Sequence, residues 1–154
     1  MDELRRLLDE RACEALITQY ARFVDFGEAS RLADLFTPDG VWEADGVVLQ
    51  GQDAIRSHYV RREAVVRRVS RHYCTNVTVE ILSPDEAKGI AYFLNFRRDR
   101  AEGDLSLPVS AGLPKYSGEY HCRFARTSDG WRFELLHVDV TFLRPANAPP
   151  DVTK

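Results

Sequence analysis

A chain of 154 residues, 44% hydrophobic and 29% charged, is long enough to bury one ordinary core without disulfide or metal staples, so one domain is expected. The net charge of -3 gives no general attraction to nucleic acid, and no apolar window approaches membrane-spanning length; neither kind of partner is expected. Cys13, Cys74 and Cys122 form no CxxC pair and leave an odd one, which fits free thiols in a reducing compartment. The acid-rich N-terminus lacks the pattern of a secretory signal, so the expected location is the cytoplasm.

From Asp2 to Phe26, Leu4, Leu7, Leu8, Ala12, Leu16, Tyr20 and Phe23 recur largely at three- and four-residue steps, which predicts a helix stopped by Gly27. A second short helix is expected over Ser30–Phe36, ending at the turn-forming TPDG. Asp45-Gly46 between VWEA and VVLQ predicts a hairpin of two short strands over Val41–Gln50. Asp53–Val66 reads as a third helix with Ile55 and Tyr59 on one side. From Ser70 the chain becomes strand-like: SRHYCTNVTVEIL, a turn at Ser83-Pro84-Asp85, AKGIAYFLNFRRD, a Gly- and Pro-containing loop over Ala101–Lys115, then strands over Tyr116–Arg126 and Trp131–Leu143 joined at Ser128-Asp129-Gly130. The domain thus spans 1–143, and the proline-rich tail 144–154 is expected to be irregular or packed on a neighbouring subunit. Helices first and long antiparallel strands afterwards is the α+β pattern, here a strongly curved sheet making a cone over the helices. Its open end is a natural small-molecule pocket.

Strict alternation from Ser70 puts His72, Cys74, Asn76, Thr78 and Glu80 on one face of the first long strand, facing either water or a pocket. His72 is a candidate acid-base residue. Asp25 sits in the last turn of the first helix, where the dipole disfavours a carboxylate, so its placement calls for a partner. Tyr20 lies on the same helix. Arginines cluster at 61–62, 67–71 and 97–100, read as a solvated face or an oligomer rim. His58 is expected at the surface or against the sheet rim. His137 and Asp139 share a nominal face with Trp131, Phe133 and Leu135 and could enter the cavity or line an interface. Trp42 and Tyr59 are expected as cavity wall in contact with substrate. Converging metal-ligand spacings, a Gly-rich phosphate loop and a GxSxG elbow are all absent, so no metal and no cofactor are expected.

The order and spacing of YARFVDFGEASRLADLFTPDGVW, LQGQDAIRSHY, SRHYCTN and SDGWRF resembles the SnoaL-like branch of the nuclear transport factor 2-like superfamily, in particular its scytalone dehydratase and bile acid 7α-dehydratase members. The resemblance covers Leu4–Leu143 and implies the cone-shaped α+β barrel. It implies further that Asp25 orients His72, that Tyr20 contacts substrate oxygen, and that Asn95 stands where the bile acid enzyme is acidic. Val24 replaces a tyrosine of scytalone dehydratase. His121 falls about where that enzyme has a pocket asparagine, with Tyr120 taking its place if the register slips by one. Cys74 and Asn76 are expected to line the same pocket.

The chemistry implied is cofactor-independent proton abstraction next to a carbonyl, with His72, Asp25 and Tyr20 catalytic. The expected substrate is a hydrophobic cyclic molecule, polyketide- or steroid-like, and the outcome dehydration or isomerisation. An aldol cyclase using the same site, or a non-catalytic binding or accessory subunit, are the alternatives. A homodimer or homotrimer is expected from exposed sheet faces and edges.

Overall fold

The computed structural model describes residues 2–65, 67–100 and 106–145. Helix α1 (Glu3–Asp25) opens with Asp2, whose side chain accepts the Arg5 N–H at 2.7 Å. It closes at Gly27, at φ +72, where the Glu28 N–H donates to the Phe23 carbonyl. Its buried stripe is Asp9, Cys13, Leu16, Ile17 and Tyr20. Leu4, Leu7 and Leu8, assigned by periodicity to that stripe, are more than half exposed.

The second helix is shorter than expected: α2 covers Ala29–Leu32, a 3-10 turn follows over Ala33–Leu35, and Phe36 already belongs to β1 (Phe36–Ala44). TPDG is therefore not a chain reversal. It forms a bulge within β1, across which the parallel register with the last strand jumps from Phe36↔Phe133 to Val41↔Leu135. Gly40 lies there because a Cβ would come within 2.9 Å of the Phe133 carbonyl oxygen. Asp45 and Gly46, both at positive φ, turn the chain into β2 (Val47–Gln50) as expected of this dipeptide. Helix α3 runs over Gln52–Val65, burying Ile55 and Tyr59; Val66, its expected end, lies outside the described residues.

Four long strands complete the sheet: β3 (Arg67–Ile81), β4 (Glu86–Arg100), β5 (Tyr116–Thr127) and β6 (Gly130–Leu143). The order is β2-β1-β6-β5-β4-β3, antiparallel except for β1 against β6. The fold is α+β, as expected, but the six-stranded sheet is curled and not closed into a barrel. The core fills the concave side, between the sheet and α1 and α3.

Bulges in β3 and β6 help decide which side chains of those strands face that concavity. In β3, Thr75 pairs with Tyr92 but Thr78 with Ile90, so one extra residue is absorbed at Asn76, whose φ is +51. Ser70, His72 and Cys74 point inward before it; Val77, Val79 and Ile81 pack on the core after it. Thr78 and Glu80 therefore face outward, contrary to strict alternation. In β6, Arg123 pairs with Leu135 but Phe124 with Phe133, leaving Glu134 extra. Trp131 and Phe133 are buried, whereas His137 and Asp139 pass to the outer face.

Candidate active site

The end of α1 abuts the start of β3, and this junction brings Asp25 to His72. The His72 ring Nδ1 lies 2.6 Å from one Asp25 carboxylate oxygen, which also accepts the Ser70 hydroxyl at 2.7 Å. The other oxygen accepts the His72 backbone N–H at 2.6 Å. A carboxylate has no proton to give, so Nδ1 carries it and the Nε2 lone pair is free. The side chains are 5% exposed for Asp25 and 13% for His72. Burial pushes the Asp25 carboxyl up, but the hydrogen bonds and charge of His72, together with Ser70, bring it net below its ordinary value. Ser70 is a partner that the sequence reading missed.

His72 opens onto an inner cavity of about 160 Å³. Its walls include Tyr20, Trp42, Tyr59, Phe93, Asn95 and Tyr120. Trp42 Nε1 donates to the Tyr20 hydroxyl at 3.0 Å, and the Tyr20 and Tyr59 hydroxyls lie 3.0 Å apart. Two hydroxyls share one hydrogen bond, so whichever donates, the other keeps its proton for an acceptor in the cavity. Burial holds Tyr20 and Tyr59 above the ordinary phenol range, and both stay protonated. Asn95 is paired with His72 across the β3–β4 ladder. It is 2% exposed, and its amide nitrogen has no hydrogen-bond partner. Tyr120 stacks on Phe93 at 4.6 Å, its hydroxyl also shifted up by burial.

Of the expected site residues, the fold thus brings Asp25, His72, Tyr20, Trp42, Tyr59 and Asn95 together. Cys74 is on the inner face but packs on the core instead of lining the cavity, below its ladder partner Phe93; burial pushes its thiol up to about 11. Asn76 is exposed at the bulge, so its expected contact with substrate is corrected. His121 points outward and its neighbour Tyr120 points in. The β5 pattern GEYHCRF shows why: its apolar residues Tyr120, Cys122 and Phe124 alternate with Glu119, His121 and Arg123.

His121 borders an outer groove of about 400 Å³ with Lys88 and Leu135, which lacks a buried acid-base pair. Beside it, the ligand atoms of Glu119, His121 and Asp139 lie within 4.8 Å of one another, the one group of metal-ligating geometry among the described residues and remote from the inner cavity. His137 faces Glu43 at 3.3 Å on the same outer side. His58 tilts over Trp42 at 5.7 Å, at the rim. Three arginines read as solvated, Arg62, Arg68 and Arg97, line the inner cavity.

Comparison with known proteins agrees with this architecture. The chain is 26% identical over 147 residues to hexachlorocyclohexane dehydrochlorinase 1 of Sphingobium indicum, covering 94% of this chain and 90% of that protein. The structure of a hexachlorocyclohexane dehydrochlorinase from Novosphingobium barchaimii superposes with a TM-score of 0.75 at 22% identity, covering 99% of this chain and 100% of the other. A candidate scytalone dehydratase from Novosphingobium aromaticivorans gives 0.75 at 20% identity, covering 95% and 93%. These structural likenesses share the fold. Among the described residues no helix is long and apolar enough to cross a membrane. The family model for the SnoaL-like domain matches residues 5–137, and the chain belongs to that family.

Proposed function

We propose that the chain is a cofactor-independent lyase or isomerase that removes the acidic proton next to a carbonyl of a hydrophobic, cyclic, polyketide- or steroid-like substrate. The observation that carries this is the juxtaposition of a histidine held by a carboxylate at 2.6 Å with an uncommitted buried amide donor directly across the ladder. His72 Nε2 takes the proton from carbon, and the C–H electron pair moves to the carbonyl oxygen. Asn95 Nδ2–H and the spare Tyr20 or Tyr59 hydroxyl proton stabilise that enolate oxygen; Asp25 stabilises the imidazolium. The enolate then expels a β-hydroxyl, which receives the proton from Nε2 and leaves as water; returned to another carbon, the same proton gives an isomer. Loss of hydrogen chloride, named for the Sphingobium relative, is an elimination of the same formal class as loss of water.

Offering a panel of β-hydroxy ketones in deuterated water tests this. Wild type should exchange the α-proton, with His72→Ala and Asp25→Asn slower by about 10²- to 10⁴-fold. Equal incorporation in all three would sink the assignment, and a binding or accessory role predicts no exchange above the buffer rate in any of them. Product mass lowered by one water separates dehydration from isomerisation or ring closure.

A further inference from the structure

Arg62, Arg68 and Arg97 all line the inner cavity. Arg68 and Arg97 share a single carboxylate, Asp99, at 2.7 and 2.8 Å. Arg62 lies over the Tyr59 ring at 5.4 Å and makes no ion pair among the described residues. Arg62 and Arg68 also line a second chamber of about 260 Å³, bounded by Val24, Tyr59 and Glu63 among others, so they stand between the two spaces. Asp25 is engaged by His72 and Ser70, while Asp45 and Glu63 are exposed, where water screens their charge. Burial, and then Arg62 and Arg97 against the opposing Asp99, hold Arg68 below the usual guanidinium range, so the cations repel one another.

We propose that this cavity takes an organic acid: a ring system beside His72 and Asn95 whose carboxylate is bound between Arg62 and Arg68. A planar carboxylate matches the guanidinium fork, relieves the repulsion between the two cations, and leaves the Asn95 amide for a second oxygen at the reacting end of the same molecule. The inference rests on the assignment of the inner cavity as the active site and adds the class of its substrate.

Calorimetric titration with 6-hydroxy-2-naphthoate and with its methyl ester tests it without any turnover. The two probes share ring and phenol and differ in charge. The acid should bind wild type about ten- to a hundredfold more tightly than the ester, as a charged hydrogen-bonded pair does over a neutral one. Arg62→Gln should abolish that preference by weakening the acid far more than the ester, whose remaining binding reports that the cavity is intact; Arg62→Lys should keep part of it. Equal binding of acid and ester to wild type, including no measurable binding of either, overturns the proposal, as does a full preference in Arg62→Gln. Failure of proton exchange with the acid preference intact would instead remove the catalytic assignment alone.

Discussion

Asn95 carries a cost that packing does not explain. A buried amide N–H group without a partner forfeits about 1–3 kcal/mol relative to a satisfied or apolar group, and Asn95 is 2% exposed with its nitrogen unpartnered. Its place opposite His72 supplies a reason, since a donor that waits for an enolate must be idle in the free protein. Replacing it by leucine, of similar shape and without the donor, should therefore stabilise the fold and impair the chemistry together. Thermal unfolding of Asn95→Leu is expected to shift upward by about 2–4 °C per kcal/mol regained, while α-proton exchange falls about 10²- to 10³-fold. A lowered melting temperature with exchange retained would make Asn95 a structural residue. Asp9 is the opposite case: buried in α1, it is fully engaged by Arg126, Trp131 and Arg5 and faces the core, so a buried charge alone does not mark a site.

Whole strands, not single side chains, set which residues reach the cavity, and β3 shows how through Asn76. Its left-handed backbone is one that asparagine tolerates and β-branched residues do not. Asn76→Val should destabilise the domain by about 1–2 kcal/mol, read by denaturant titration, whereas Asn76→Gly should be near neutral. Neither should slow proton exchange, because His72 lies before the bulge; a slower Asn76→Gly would return position 76 to the site. The same bulge marks the limit of what the sequence discloses. Gly27 and Asp45-Gly46 need positive φ and were legible as stops and turns, and Asp25 with His72 stood out through their family spacing. The extra residues at Asn76 and Glu134 depend on which partner strand lies opposite, which local patterning does not encode. Beyond them Thr78 and Glu80 in β3 turn outward against strict alternation, and His137 and Asp139 in β6, whose alternation left cavity and interface both open, lie on the outer face. His121 is different, since the alternation in GEYHCRF already favoured Tyr120 as the inward residue. The arginines were misread because Arg62, Arg68 and Arg97 converge only when α3 and the β3–β4 hairpin fold over one cavity.

Across the molecule, Asp9, Asp25 and Asp99 each tie helix to sheet or strand to strand, and all of these carboxyls are held below their ordinary value. For Asp9 the hydrogen bond from Arg126 is the largest cause, against burial; for Asp25 burial is overcome by His72 and Ser70; for Asp99 burial is overcome by Arg97 and Arg68, bringing it to about 2. A carboxyl lowered by folding binds protons more tightly in the unfolded chain. Its contribution is therefore complete above the unfolded value, near 3.9, and is lost as pH falls through the folded one. The melting temperature should be flat on this account above about pH 6 and decline steadily from about pH 5 toward pH 2. Asp9→Asn isolates one part, because it removes the charge that joins α1 to Arg126 in β5 and leaves the guanidinium half-paired. The variant should be less stable than wild type by about 2–3 kcal/mol at neutral pH. As pH falls and wild-type Asp9 gains its own proton, that difference should shrink toward zero. Paired melts of the two proteins from pH 7 down to about pH 2 measure it directly, and a gap that stayed constant over that range would show that Asp9 acts by shape and not by charge.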